Sequence, residues 1–208
     1  MAKHLIITIL AVGLFCISAS ADESYPPSTV AYQAPAADTV RVAEVNGRGP
    51  EAKLENVTIL HKQDDLVEHP YFHFPGSEAA IVIDDAPLLN PTDQLTLAVW
   101  FNPDAYCGFN PQKPLLVKSC PTHQYPFYQY GLFLYDDHDT GLRTSLILSL
   151  DGKLADFSTS RNPLQLLDGW NHLAATFDGR TVVIYLTGQK MVRTWAQSSA
   201  FYASTVHS

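Results

Sequence analysis

The stretch GWNHLAATFDGRTVVIYLTG, residues 169–188, decides the fold. It holds two apolar runs, NHLAATF and TVVIYLT, with Asp178 and Gly179 in the turn region between them. Each run reads as a strand, and the Asp-Gly turn sets the register of the pair. A Trp and a His lead into the first run, and a Thr-Gly pair closes the second.

The same device recurs upstream. In RTSLILSLDGKLADFSTS, Leu146, Leu148 and Leu150 share one face, opposite Ser145, Ile147 and Ser149. Asp151-Gly152 then supplies a two-residue turn in which glycine accepts the positive φ of type I′. LTLAVWF, Leu95–Phe101, is apolar on both faces and reads as a central strand rather than an edge. ENVTILH, YFHF, AAIVID, PLLVKS and YQYGLFLYDD complete a series of short strands joined by Gly, Pro and Asp turns. No segment carries a long 3.6-residue period and no internal repeat is present. The pattern is all-β, a β-sandwich or barrel.

The first residues bear on location. Lys3 and His4 form a basic head, residues 5–17 are apolar and uncharged, and small residues stand at Ala19 and Ala21. Residues 1–21 read as a signal peptide cut after Ala21. The apolar run is too short to span a bilayer comfortably. No second apolar segment of spanning length follows, so no membrane span is expected in the mature chain. The expected location is secreted and extracellular, or periplasmic in a bacterial host. Residues 22–53, with ESYPPSTVAYQAPAAD and VNGRGPEAK, read as a linker, and residues 54–208 as one domain. The net charge of −8, with no Lys/Arg cluster, argues against nucleic acid or an anionic membrane as partner.

The residues also carry a family resemblance. Trp170, His172, Leu173, Ala174, Thr176, Phe177, Asp178 and Gly179 meet the pattern W-x-H-[LV]-A-x-T-[YF]-D-G. Val182, Ile184, Tyr185, Leu186, Thr187 and Gly188 meet the strand that follows it, with Thr187 where Asn is usual. LTLAVWFNP and FPGSEAAIVID match two upstream strands, with Pro75 replacing an acidic residue. Over residues 54–191 the chain resembles the laminin-G-like jelly rolls of the concanavalin A-like lectin/glucanase superfamily. The resemblance implies an antiparallel two-sheet jelly-roll β-sandwich, with Trp170 in the core and His172 in a structural, locally hydrogen-bonded role. It also implies two further strands after Gly188, where only QKMVRTWAQSSAFYASTVHS stands. The sandwich is expected to lack its last strands, by truncation or divergence, which leaves an unpaired edge; the alternatives are a tail that closes the sheet in an unusual way and a partner that supplies the strand.

Catalysis finds little support. Retaining glycosidases need two carboxylates about 5 Å apart, and glucanases of this superfamily carry them as E-x-D-x-x-E. That motif is absent, and Glu78 is the last Glu of the chain. No G-x-S-x-G, H-E-x-x-H, paired C-x-x-C or phosphate-binding glycine loop occurs. The chain is expected not to be an enzyme.

Binding is better supplied. HQYPFYQYGLFLY is dense in aromatics that could stack on sugar faces, and Tyr125, Tyr128 and Tyr130 are the ligand candidates. Strand alternation puts Tyr128 and Tyr130 with Leu132 and Leu134, and Phe127 with Phe133 and Tyr135; one of the two faces must be core. Asp136, Asp137 and Asp139 stand before Gly141 and could offer hard oxygen ligands to Ca²⁺. The same spacing also describes a solvated acidic turn. Cys107 and Cys120 form an even pair, expected as a disulfide in an oxidising compartment if the loop folds back along PLLVKS. Asn56 opens an N-V-T sequon, a glycosylation site in a eukaryotic host. The expected function is a secreted, lectin-like, non-catalytic module for a glycan or an extracellular protein. The alternatives are a truncated or degenerate glycosidase-like protein and a purely structural matrix or envelope protein.

Overall fold

The computed structural model describes residues 4–7, 32, 34–35, 39–43, 49–63, 68–76, 78–103, 112–120, 124–137, 141–159 and 164–196. Within them the chain is built of antiparallel strands. The first six are β1 (His4–Ile7), β2 (Arg41–Val42), β3 (Ala52–Glu55), β4 (Thr58–Gln63), β5 (Glu68–His73) and β6 (Ala80–Asp84). A 3₁₀ turn, Pro87–Leu89, leads to β7 (Leu95–Phe101), β8 (Gln112–Ser119), β9 (Tyr128–Asp137), β10 (Gly141–Leu150) and β11 (Lys153–Ser158). β12 (Asn171–Phe177), β13 (Thr181–Leu186) and β14 (Gln189–Trp195) follow.

Three four-stranded sheets run in the orders β1-β6-β3-β2, β11-β10-β9-β8 and β14-β13-β12-β7, with β4-β5 as a separate hairpin. They share one core. Ile81 and Ile83 of β6, Leu132 of β9, Leu146 and Leu148 of β10, and Leu173, Ala175, Phe177 and Ile184 of β12 and β13 meet in it. Leu173 and Ile184 are fully excluded from water, and each such side chain stabilises the fold by about 2 kcal/mol. The architecture is the antiparallel β-sandwich that the family resemblance implies.

The alternation of the deciding hairpin is plain in its burial. Leu173, Ala175 and Phe177 point inward, while His172, Ala174 and Thr176 are half-exposed. Asp178 accepts hydrogen bonds at Oδ1 from the backbone N–H of Arg180 (2.9 Å) and of Thr181 (2.6 Å), which closes the loop. Asp151 and Gly152 both have positive φ (51° and 72°), as a type I′ turn requires. Thr187 and Gly188 form a second such turn, φ 46° and 79°.

Three expectations need correction. LTLAVWF, read as central, lies at the end of its sheet among the described strands. Its second apolar face comes from Trp100, which packs against His172 rather than into the core. Part of the stretch read as linker belongs to the domain. Tyr32, Ala34, Val42 and Ala52 are buried in the core, β2 pairs with β3, and the Tyr32 hydroxyl donates to the Pro50 carbonyl at 2.6 Å. Third, β14 continues the sandwich beyond Gly188 by pairing with β13. Within the leader-like region, β1 pairs with β6 in the register His4↔Asp84 to Ile7↔Ile81.

Candidate functional site

The turn from β8 to β9 presents the aromatic residues best placed to meet a ligand. The backbone N–H of Cys120 donates to the Phe127 carbonyl and that of Phe127 to the Gln124 carbonyl, each at 2.7 Å. The Tyr125–Pro126 peptide is cis and Phe127 has φ 52°. Tyr125 and Phe127 emerge 60% and 48% exposed, the two exposed large aromatics among the described residues. Their ring centroids lie 6.1 Å apart, edge to face. The Tyr125 hydroxyl accepts a hydrogen bond from the Leu154 N–H at 3.1 Å, which ties this turn to the start of β11. Apolar ring faces held near polar backbone and hydroxyl groups suit stacking on a sugar or docking of an apolar side chain.

The other tyrosines have different fates. Tyr130 is buried and its hydroxyl donates to the Leu89 carbonyl at 3.0 Å. Burial pushes its phenol well up from the ordinary value. It is a core residue with a satisfied polar end. Tyr128 is half-buried and sets its ring against Phe133 at 5.4 Å. Simple alternation groups Tyr128 with Tyr130, but an irregularity in the β8–β9 ladder at Lys118/Ser119 breaks that alternation. The extra residue turns Tyr128 to the opposite face. There it joins Val117, Phe133, Ile147, Tyr135 and Leu154 in a second apolar cluster, separate from the main core.

That face also carries polar groups. Gln112 donates to the Tyr135 hydroxyl at 2.9 Å. The Ser145 and Ser158 hydroxyls both donate to Oδ1 of Asp156. Ser149, fully buried on the same strand, has a hydroxyl without a hydrogen-bond partner among the described residues.

A second polar constellation joins the end of β8 to the loop after β6. The Lys118 ammonium donates to Asp85 at 2.7 Å, to Asn90 Oδ1 at 2.6 Å and to the Leu89 carbonyl at 3.0 Å. Burial lowers the Lys118 pKa, and Asp85 works against that shift. Three acceptors saturate the ammonium, so the group binds its own fold rather than a ligand. The lysine within the apolar run LLVKS is the sequence signal that could have revealed it.

His172 stacks on Trp100 with ring centroids 4.9 Å apart. Burial lowers its pKa, which keeps the ring neutral at pH 7. Trp170 is half-buried rather than fully interior and meets Tyr71 edge to face at 5.8 Å. The buried polar residue of this strand is Asn171. Its amide accepts from Leu167 N–H at 2.8 Å and donates to the Leu167 and Gly169 carbonyls at 3.1 and 2.9 Å. Its place between Trp170 and His172 gave no sign of that role.

Asp136 and Asp137 close β9, their backbones paired with Leu142 and Gly141. Their side chains, and the whole of Asp139, lie outside the described residues. Among the described residues no three His, Cys, Asp or Glu side chains gather to hold a metal. Cys120 is a buried free thiol, and Cys107 lies outside the described residues, so the bridge between them is not shown. Asn56 is exposed in the turn between β3 and β4, with φ 52°. Its amide donates to the Glu78 carbonyl at 3.2 Å.

The sandwich and its W-x-H strand define a lectin-like jelly roll. Residues 75–205 match the laminin-G-like family model, and the chain belongs to the concanavalin A-like lectin/glucanase superfamily. Laminin-G-like domains are typically non-catalytic, although the superfamily includes glycosidases. No curated protein and no solved structure matches the chain.

Proposed function

We propose that the chain is exported by way of residues 1–21 and serves as a non-catalytic binding module for a glycan or an extracellular protein. The observation that carries this reading is the exposure of Tyr125 and Phe127 together on one hydrogen-bonded turn. Exposed aromatics at a fixed spacing, unlike single exposed aliphatics, are the usual anchors of recognition. The fold is compatible with this role, and the chain lacks the acid-pair motif of the superfamily's glucanases.

The test is a broad glycan array and an extracellular-protein panel, probed with protein shown to melt cooperatively. The expected result is a hit that Tyr125→Ala with Phe127→Ala weakens at least tenfold, or about 1.4 kcal/mol, without a change in Tm. A folded protein with no hit, or a hit indifferent to both substitutions, overturns the reading. No array can report on a chain that does not fold, so the melt comes first.

A further inference from the structure

β6 is hydrogen-bonded to β3 on one side and to β1 on the other. β1 also lies near β8, whose one sheet partner among the described strands is β9. Without β1, that edge of β6 would lose its hydrogen-bonded neighbour and leave a slot beside β8. The walls of this slot do not read as ordinary sheet edges. Ile81, Val82 and Ile83 are buried in succession on β6, as are Leu115, Leu116 and Val117 on β8. Successive burial on both faces marks interior strands. The Lys118–Asp85 ion pair, 2.7 Å, joins β8 to the residue that follows β6. The slot therefore has fixed walls, and its filler is the segment that reads as removable.

We propose that the slot between β6 and β8 is an exchangeable strand acceptor, which holds His4–Ile7 while the leader is attached and afterwards takes an extended apolar segment of a partner protein, antiparallel to β6. The inference rests on the leader reading given under Proposed function. Loss of β1 strips the N–H and C=O groups on that edge of β6 of their partners, and such a row of groups templates strand addition. The filler is distant in sequence from both walls, so its seat depends on backbone pairing rather than on a local turn. The register sets Leu5 and Ile7 opposite Ile83 and Ile81, two residues of the core. A charge in the middle of an incoming strand would be buried unpaired, which selects an uncharged, β-branched segment.

The experiment starts from the intact chain with a specific protease site placed after Ala21. It follows hydrogen exchange at Ala80–Asp84 and at residues 115–118 before cutting, after cutting and removal of the leader, and after addition of the peptide AKHLIITI (residues 2–9). The expected result is protection in the intact chain, loss of at least about tenfold at the β6 amides not bonded to β3, and recovery with the peptide. The peptide carrying Ile6→Pro should not restore it. The amides of Leu173 and Ile184 report whether the domain stays folded throughout. Protection that survives cutting would mean that the chain fills the slot itself, and would overturn the proposal. So would lost protection that the peptide fails to restore in a domain still folded at Leu173. An exported protein that retains Met1 by intact mass would overturn the exchange as well. None of these outcomes bears on the Tyr125 and Phe127 substitutions, so the two readings fail separately.

Discussion

The ammonium of Lys118 lies 2.7 Å from the carboxylate of Asp85, with the lysine side chain 6% exposed and the aspartate 34%. The asymmetry decides what each substitution should cost. Lys118→Ala removes the charge and the buried stem together, and should destabilise by about 3 kcal/mol. Lys118→Met keeps most of the packing and leaves Asp85 able to hydrate, so about 1 kcal/mol is expected. Urea melts of the two variants check this. Equal losses would mean that the charge, not the stem, dominates.

Ser149 should be improvable. Its hydroxyl is buried without a partner among the described residues, and an unsatisfied buried hydroxyl costs about 1–3 kcal/mol. Ser149→Ala removes that penalty and leaves a void no larger than the oxygen. The variant should melt higher than the parent, by about 1 kcal/mol at the midpoint. A lower midpoint would show that the hydroxyl has a partner.

The turn after β13 carries a different strain. Thr187 has φ 46°, a left-handed conformation that a β-branched residue adopts at a cost of about 1–2 kcal/mol. Asn tolerates that region, and it is the residue usual at this position in the resembling family. Thr187→Asn should therefore raise the midpoint, by about 1 kcal/mol, and leave the far-UV spectrum unchanged. Thr187→Val, branched and without the hydroxyl, should not stabilise.

His172 predicts a pH dependence with a definite sign. Burial lowers its pKa in the folded state. The unfolded chain therefore binds more protons, and stability falls as pH drops from the unfolded value of about 6.5 toward the folded one. Above that window the contribution is fully present. A Tm series from pH 8 to pH 5 should show a step that His172→Phe removes, with the ring still stacked on Trp100.

Much of the sandwich was legible because its signals are local. Asp151-Gly152 could announce a type I′ turn, since the two residues that need positive φ are adjacent. LTLAVWF gave its bounds as a strand but not its place in the sheet, because an outward Trp100 that stacks on His172 looks in sequence like a second buried face. Tyr128 and Tyr130 show a sharper limit. Period-two counting assigns them to one face, and one irregular residue in the ladder separates them; nothing in YQY marks it. The contact of Lys118 with Asp85 and Asn90 joins segments about thirty residues apart (|i−j| 33 and 28), a distance over which a single sequence carries no pairing information. In the candidate site, Tyr125 was legible from its loop position, whereas Phe127 was assigned to the strand that follows it.

The β8–β11 sheet has one further property. Leu132, Leu146 and Leu148 enter the main core, while Val117, Phe133 and Ile147 are buried on the opposite side. A sheet with one wet side leaves every second position free to vary. Here both parities of β9 and β10 are constrained, down to Gly131, where an added Cβ would stand 2.5 Å from the Phe133 ring. Mutational tolerance should therefore follow alternation in the sheet that has a wet side and not in β9 and β10. In the β7–β12–β13–β14 layer the outward positions, such as Ala98 and Thr96, are where sequence can drift, whereas β9 and β10 leave no such face.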